Sequence, residues 1–160
     1  MKQFPAKLEA QVINYADDFV ILCRGMAQRA RIAAEQIITG MNLHVNQQKT
    51  QVMDAPQPFD FLGYTFGPCH AARSPAVYLG AKPSARRIKR LYGKVRKQLN
   101  RGNNDPLEDV VAAVNRMLVG WSQYFSYGTL SKAYRTADYL TRNRLRWWLC
   151  RRHKVKGRGT

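Results

Sequence analysis

The segment Ala10-Gln11-Val12-Ile13-Asn14-Tyr15-Ala16-Asp17-Asp18-Phe19-Val20-Ile21-Leu22-Cys23 decides how the first half of this chain folds. Ala10 to Tyr15 and Phe19 to Cys23 are rich in apolar and β-branched residues, and they flank the short polar turn Ala16-Asp17-Asp18, which is the pattern of a β-hairpin. Downstream, apolar side chains at 30, 33, 34, 37, 38 and 41 recur at helical spacing, so a helix is predicted over Ala27 to Met41. Leu43–Val45 and Thr50–Met53 read as short strands. Phe59 to Phe66 reads as another pair of strand segments, bent at Gly63. The order β-β-α-β-β implies a small antiparallel α+β layer with one helix on a face.

The second half reads as three helices. Ile88, Leu91, Val95 and Leu99 form an apolar stripe, with Arg86, Arg87, Lys89, Arg90, Lys94, Arg96 and Lys97 crowding the rest of that helix. A second helix is announced by Asp105-Pro106-Leu107-Glu108, with Asp as N-cap, Pro at the first helical position and Glu three residues after the cap. Leu107, Val110, Val111, Val114, Leu118, Trp121 and Phe125 continue it. Gly128 and Ser131 separate it from the third helix. There Tyr134, Ala137, Leu145 and Trp148 fall on one face, with Arg135, Arg142, Arg146 and His153 about 100° away. Three amphipathic helices with basic outer faces predict a bundle.

Charge separates the halves. Of 160 residues carrying a net +17, residues 1–80 hold seven Lys/Arg and six Asp/Glu, whereas residues 81–160 hold twenty and four. So large a surplus repels itself unless a polyanion offsets it, which makes nucleic acid the expected partner. A single charged run is ordinarily a solvated face, but twenty cations on three helices exceed that need. No apolar run approaches the ~18 residues of a membrane span, so no membrane association is expected. Cys23, Cys69 and Cys150 are far apart, and the neighbours Cys69 and His70 are poorly placed to chelate one ion, so neither a disulfide nor a zinc framework is predicted. The joint between halves is placed around Pro75–Pro83. This gives a first domain over 1–80, a helical domain over 81–154 and a basic tail over 155–160.

A hairpin turn that holds Asp17 and Asp18 close together brings two like charges near each other, a situation a cation relieves. Hard oxygen ligands suit Mg²⁺, and two-metal phosphoryl transfer uses carboxylates of this kind. Adjacent aspartates in a solvated turn are nevertheless common, and the pair alone decides nothing.

Its surroundings add to it. Tyr15-Ala16-Asp17-Asp18-Phe19-Val20-Ile21-Leu22 resembles the catalytic hairpin of reverse transcriptases, in the form typical of those encoded by bacterial group II introns. Gly40-Met41-Asn42-Leu43-His44-Val45-Asn46 leading to Lys49-Thr50 is similar to the palm segment that follows. Phe59-Asp60-Phe61-Leu62-Gly63-Tyr64 is similar to the primer-grip turn. Asn115 to Tyr124, then Leu145-Arg146-Trp147-Trp148 and Arg151-Arg152-His153-Lys154, resembles the maturase-specific thumb. The resemblance spans residues 10–154. It implies a partial palm followed by a three-helix thumb, RNA-directed DNA polymerase (nucleotidyltransferase) ancestry, and intron RNA or other structured RNA as partner. In full-length relatives an RNA/DNA template-primer would be a further partner, and the setting a cytoplasmic ribonucleoprotein.

Residue by residue, the resemblance implies Asp17 and Asp18 as catalytic metal ligands and Lys49 as proton donor to departing pyrophosphate. Phe61, Leu62, Gly63 and Tyr64 would form the primer grip, with Phe61 and Leu62 also suited to a hydrophobic core. RNA contacts fall to Arg86, Arg87, Lys89, Arg90, Lys94, Lys97, Arg135, Arg142, Arg146, Arg151 and Arg152. Of Trp147 and Trp148, neighbours about 100° apart on a helix, one is expected in the core and the other free to stack on a base.

Departures from the pattern qualify this. Asn14 stands where the family usually has Arg, and only sixteen residues precede Asp17, with Glu9 the sole earlier acid. Fingers and a separate palm strand with another catalytic Asp are not in this sequence, so Mg²⁺ is expected only if other residues, for instance on a separate chain, complete the site. The expectation is therefore a part of a group II intron reverse transcriptase/maturase, inactive as a polymerase alone. The alternative is a non-catalytic basic RNA-binding module carrying a relic Asp-Asp turn.

Overall fold

The computed structural model describes residues 9–55, 57–70 and 76–155. The chain divides into two compact units, Met1–Gln57 and Pro58–Thr160. Strands and helices are mixed in the α+β manner that the sequence predicts.

In the first unit, β1 (Ala10–Tyr15) and β2 (Asp18–Cys23) pair antiparallel, from Ala10 opposite Cys23 to Tyr15 opposite Asp18. That register leaves a two-residue turn, Ala16-Asp17, one residue shorter than the expected three. Ala16 takes φ 50°. A positive φ at the first turn position matches the twist of the flanking strands, and for a residue with a Cβ it costs about 1–2 kcal/mol. Helix α1 (Ala27–Thr39) packs against β2 and buries only Ala30 and Ala34.

The strands expected at Leu43–Val45 and Thr50–Met53 do not form. A compact turn lies between them: the Asn46 side-chain oxygen accepts from the amides of Gln48 and Lys49, and the Asn46 carbonyl accepts from the amides of Lys49 and Thr50 and from the Thr50 hydroxyl. Asn satisfying its neighbours' backbone locally competes with ladder formation. Arg31 and Gln47 both reach Glu35, tying this turn to α1.

In the second unit, β3 (Phe59–Phe61), β4 (Tyr64–His70) and β5 (Val77–Pro83) form an antiparallel sheet in that order. The expected bend is the turn Leu62-Gly63, where both residues have positive φ (51° and 85°), as a type I′ hairpin requires. Strand β5 corrects the sequence reading, which took Pro75–Pro83 as a joint. Val77-Tyr78-Leu79 is a β-forming run, and Pro83 is tolerated because β5 is an edge strand whose missing N–H breaks no ladder. Pro75 and the tail beyond Val155 lie outside the described residues.

Three helices follow, α2 (Ala85–Gln98), α3 (Leu107–Tyr124) and α4 (Ser131–Arg152). Ser84 caps α2, its side chain accepting from the Arg87 amide. Asp105 does not cap α3 as expected: Pro106 occupies the cap position, and Leu107 stays exposed instead of joining the core. The core is otherwise the one the apolar stripes define. Leu91, Val95 and Leu99 meet Val110, Val114, Ala137 and Trp148, with Met117, Leu118, Trp121, Leu145 and Leu149 packed around them.

The sheet is fastened to the far end of α3. The Tyr64 hydroxyl donates to the Tyr124 carbonyl at 3.0 Å, and the Tyr124 hydroxyl donates to the Leu62 carbonyl at 2.9 Å. Tyr64 also packs against Phe125, which contacts Trp121. Gly128 is obligatory in the α3–α4 connection, since it has φ 84° and a Cβ there would lie 2.1 Å from the Ala81 carbonyl oxygen of β5.

Candidate nucleic-acid interface

The two aspartates of the first unit occupy different positions. Asp17 is the second turn residue and Asp18 opens β2 opposite Tyr15; both are exposed. Lys49 is exposed in the Asn46 turn, and among the described residues no hydrogen bond or ion pair joins it to either aspartate. Among those residues, no group of three His, Cys, Asp or Glu side chains is placed to hold a metal. Two carboxylates are a partial set for Mg²⁺, which also draws on phosphates and water, and they fall short of a two-metal centre.

The residues matched to the primer grip belong to the second unit. Phe61, Leu62, Gly63 and Tyr64 are all half-buried, and Tyr64 and the Leu62 carbonyl are engaged by Tyr124. The Arg87 side chain covers Gly63 so closely that a Cβ there would come 2.6 Å from its Nε. This turn, and Arg87 with it, is part of the packing between sheet and helices.

The basic residues lie as follows. Arg86, Lys89, Arg90, Lys94 and Lys97 are exposed along α2. Arg135, Arg142 and Arg146 are exposed along α4, at i, i+7 and i+11 on one face, with the Arg135 Nε donating to the Ser131 carbonyl. Arg152 is also exposed, but its Nη1 donates to the Asp105 carbonyl at 2.7 Å and its guanidinium lies over Trp148, holding the end of α4 to the α2–α3 loop. Among the described residues the one ion pair is Arg31–Glu35, in the first unit. The hydrogen bonds from Glu35's neighbours, Gln47 first and Arg31 next, lower its pKa. Among the described residues, the cations of the second unit thus form no ion pair with a carboxylate.

Sequence reading missed a cluster at the end of α2. Trp148 is 3% exposed and belongs to the core, while Trp147 is 40% exposed. Around the Trp147 ring sit the guanidinium carbons of Arg144, Arg151 and Arg101, at 4.5, 4.9 and 5.8 Å from its centroid. The Arg144–Trp147–Arg151 spacing on one helical face was a usable signal. Arg101 had none, because it arrives from another element.

The first unit thus carries an exposed Asp-Asp hairpin and the second a sheet with a basic, ion-pair-poor helical bundle, a surface of the nucleic-acid-binding class. Residues 1–66 match the family "Reverse transcriptase (RNA-dependent DNA polymerase)", and residues 88–160 match "Group II intron, maturase-specific domain". The chain belongs with the group II intron reverse transcriptase/maturases, of which it carries these two regions in order. Reverse transcriptases generally use Mg²⁺. No curated protein gave a significant match.

Proposed function

We propose that this chain binds intron RNA through its basic helical unit and so assists splicing, as a maturase component of a ribonucleoprotein, with the Asp17-Asp18 turn contributing no polymerase activity by itself. The observation that supports this reading is the second unit's cationic surface, which no carboxylate among the described residues neutralises. Phosphates are the complementary partner, and each one neutralised releases counterions, so affinity falls steeply with salt. If about six phosphates are contacted, log K against log salt has a slope of roughly −4 to −5. The test is a salt titration of binding to structured intron RNA; a nearly flat dependence would show that this surface is not the binding surface. In parallel, the chain with Mg²⁺ and nucleotides is expected to extend no primer on an RNA template. Robust extension lost in Asp17→Ala would overturn that half of the proposal.

A further inference from the structure

The cleft beside Trp147 is a separate feature from the open basic faces. It is lined by Gly93, Arg96, Lys97, Asn100, Arg101, Arg144 and Trp147, with a volume of about 580 Å³, within the roughly 300–1,000 Å³ of small-ligand pockets. Its cations come from the last turn of α2, the loop after it and α4, and no carboxylate lines it. Arg144 is held in place, its Nη2 donating to the Leu99 carbonyl at 2.7 Å, while its buried Nε has no hydrogen-bond partner.

Gly93 supports the same reading. It lies inside α2, where glycine is disfavoured relative to alanine, and a Cβ there would meet no atom within 4 Å. Internal packing therefore does not require the glycine; its effect is to leave one wall of the cleft as bare backbone.

We infer that this cleft is a subsite for a single unpaired nucleotide of the bound RNA, a reading that rests on the RNA-binding function proposed above. The phosphate would be held by Arg101 and Arg144, and the base would stack on the Trp147 indole and the arginine planes beside it. Duplex RNA presents phosphates over an extended surface and keeps its bases stacked, whereas loops and bulges can offer one splayed base together with its phosphate. An aromatic ring among guanidinium groups suits the latter, since base–aromatic stacking and arginine contacts combine at single-stranded sites.

The experiment compares a hairpin RNA carrying an unpaired loop with a fully paired duplex of equal phosphate count, using the full chain. Trp147→Leu is expected to weaken loop binding about tenfold, in line with the ~1–3 kcal/mol of one stacked base, and to change duplex binding less than twofold. Trp147→Phe should restore most of the loss. Arg101→Gln, at an exposed loop position, should weaken loop binding and lower the salt slope by about 1, which keeps the inference testable if the Leu variant does not fold. Wild-type loop binding by both variants would overturn the subsite while leaving the proposed function intact. An equal loss on loop and duplex from Trp147→Leu would also overturn it, because the indole would then serve only to position the arginines. Failure of the wild-type chain to bind either RNA would instead remove the proposed function, and the subsite with it.

Discussion

The two compact units put their apolar residues to opposite uses. In residues 58–160, three helices bury leucine, valine and tryptophan together, with Val95, Leu99 and Val110 at 0% exposure. In residues 1–57 the buried side chains among the described residues are two alanines, and Val12, Ile13, Phe19 and Leu22 of the hairpin are exposed. The charges are distributed the other way, near balance in the first half and heavily positive in the second. Self-repulsion is a tax on stability that only a well-packed core can carry, so surplus cations sit where the core is.

The sharpest way to break that comparison is to separate the units. Residues 58–160 should fold and keep most of the RNA affinity and its steep salt dependence, while residues 1–57 should bind at least tenfold more weakly, lacking the phosphate contacts that dominate affinity. Equal binding by both pieces would refute the division of labour. The cut belongs at 57/58, because a cut at 80/81 would remove most of β5 from the sheet.

Core substitutions give the next largest contrast. Leu99→Ala should destabilise the second unit by about 2–5 kcal/mol through the lost burial and the cavity left behind. Ile13→Ala, at a 43% exposed hairpin position, should stay within about 0.5 kcal/mol. Denaturant unfolding of both variants checks the pair, and a large effect at Ile13 would mean that the hairpin is covered in solution.

A smaller effect is expected from charge alone. Changing Arg135, Arg142 and Arg146 together to Gln preserves helix propensity and should lower RNA affinity by about 1–3 kcal/mol with little change in melting temperature. Binding at the wild-type level would move the RNA surface to α2, around Arg86–Lys97.

The smallest effect belongs to Glu35. Its folded pKa is lowered from the ordinary 4.5, so its contribution is complete above that value and is lost as the pH falls below it. Glu35→Gln should therefore narrow the difference in first-unit stability between pH 7 and pH 3, followed by circular dichroism. An unchanged pH profile would show that the Arg31–Gln47–Glu35 contacts do not persist in solution.

Much of this architecture was legible because it is local. Apolar, β-branched runs on either side of a short polar turn gave away β1 and β2, 3.6-residue periodicity located the four helices of the described residues, and Trp148 fell on the apolar face it does occupy. What escaped depended on partners distant in sequence or on competing local chemistry. Strand β5 looked like a linker until β4 was there to pair with it, and the Asn46 turn between two expected strands forms through Asn46's own hydrogen bonds. The aspartates were legible as residues, and the two-residue register that separates them was not. The Trp147 cleft combines Arg144 with the Leu99 carbonyl forty-five positions away, a proximity that no helical wheel contains.

The paired hydroxyl-to-carbonyl bonds of Tyr64 and Tyr124 have a mechanical consequence. Each anchors its own ring to the other's segment, so the Leu62-Gly63 turn cannot slide along the end of α3 without breaking both, at about 0.5–1.5 kcal/mol apiece. The turn therefore travels as a rigid outrigger of the helices. A displacement of the end of α3 is thus passed to the tip of the β3–β4 hairpin through two bonds at once.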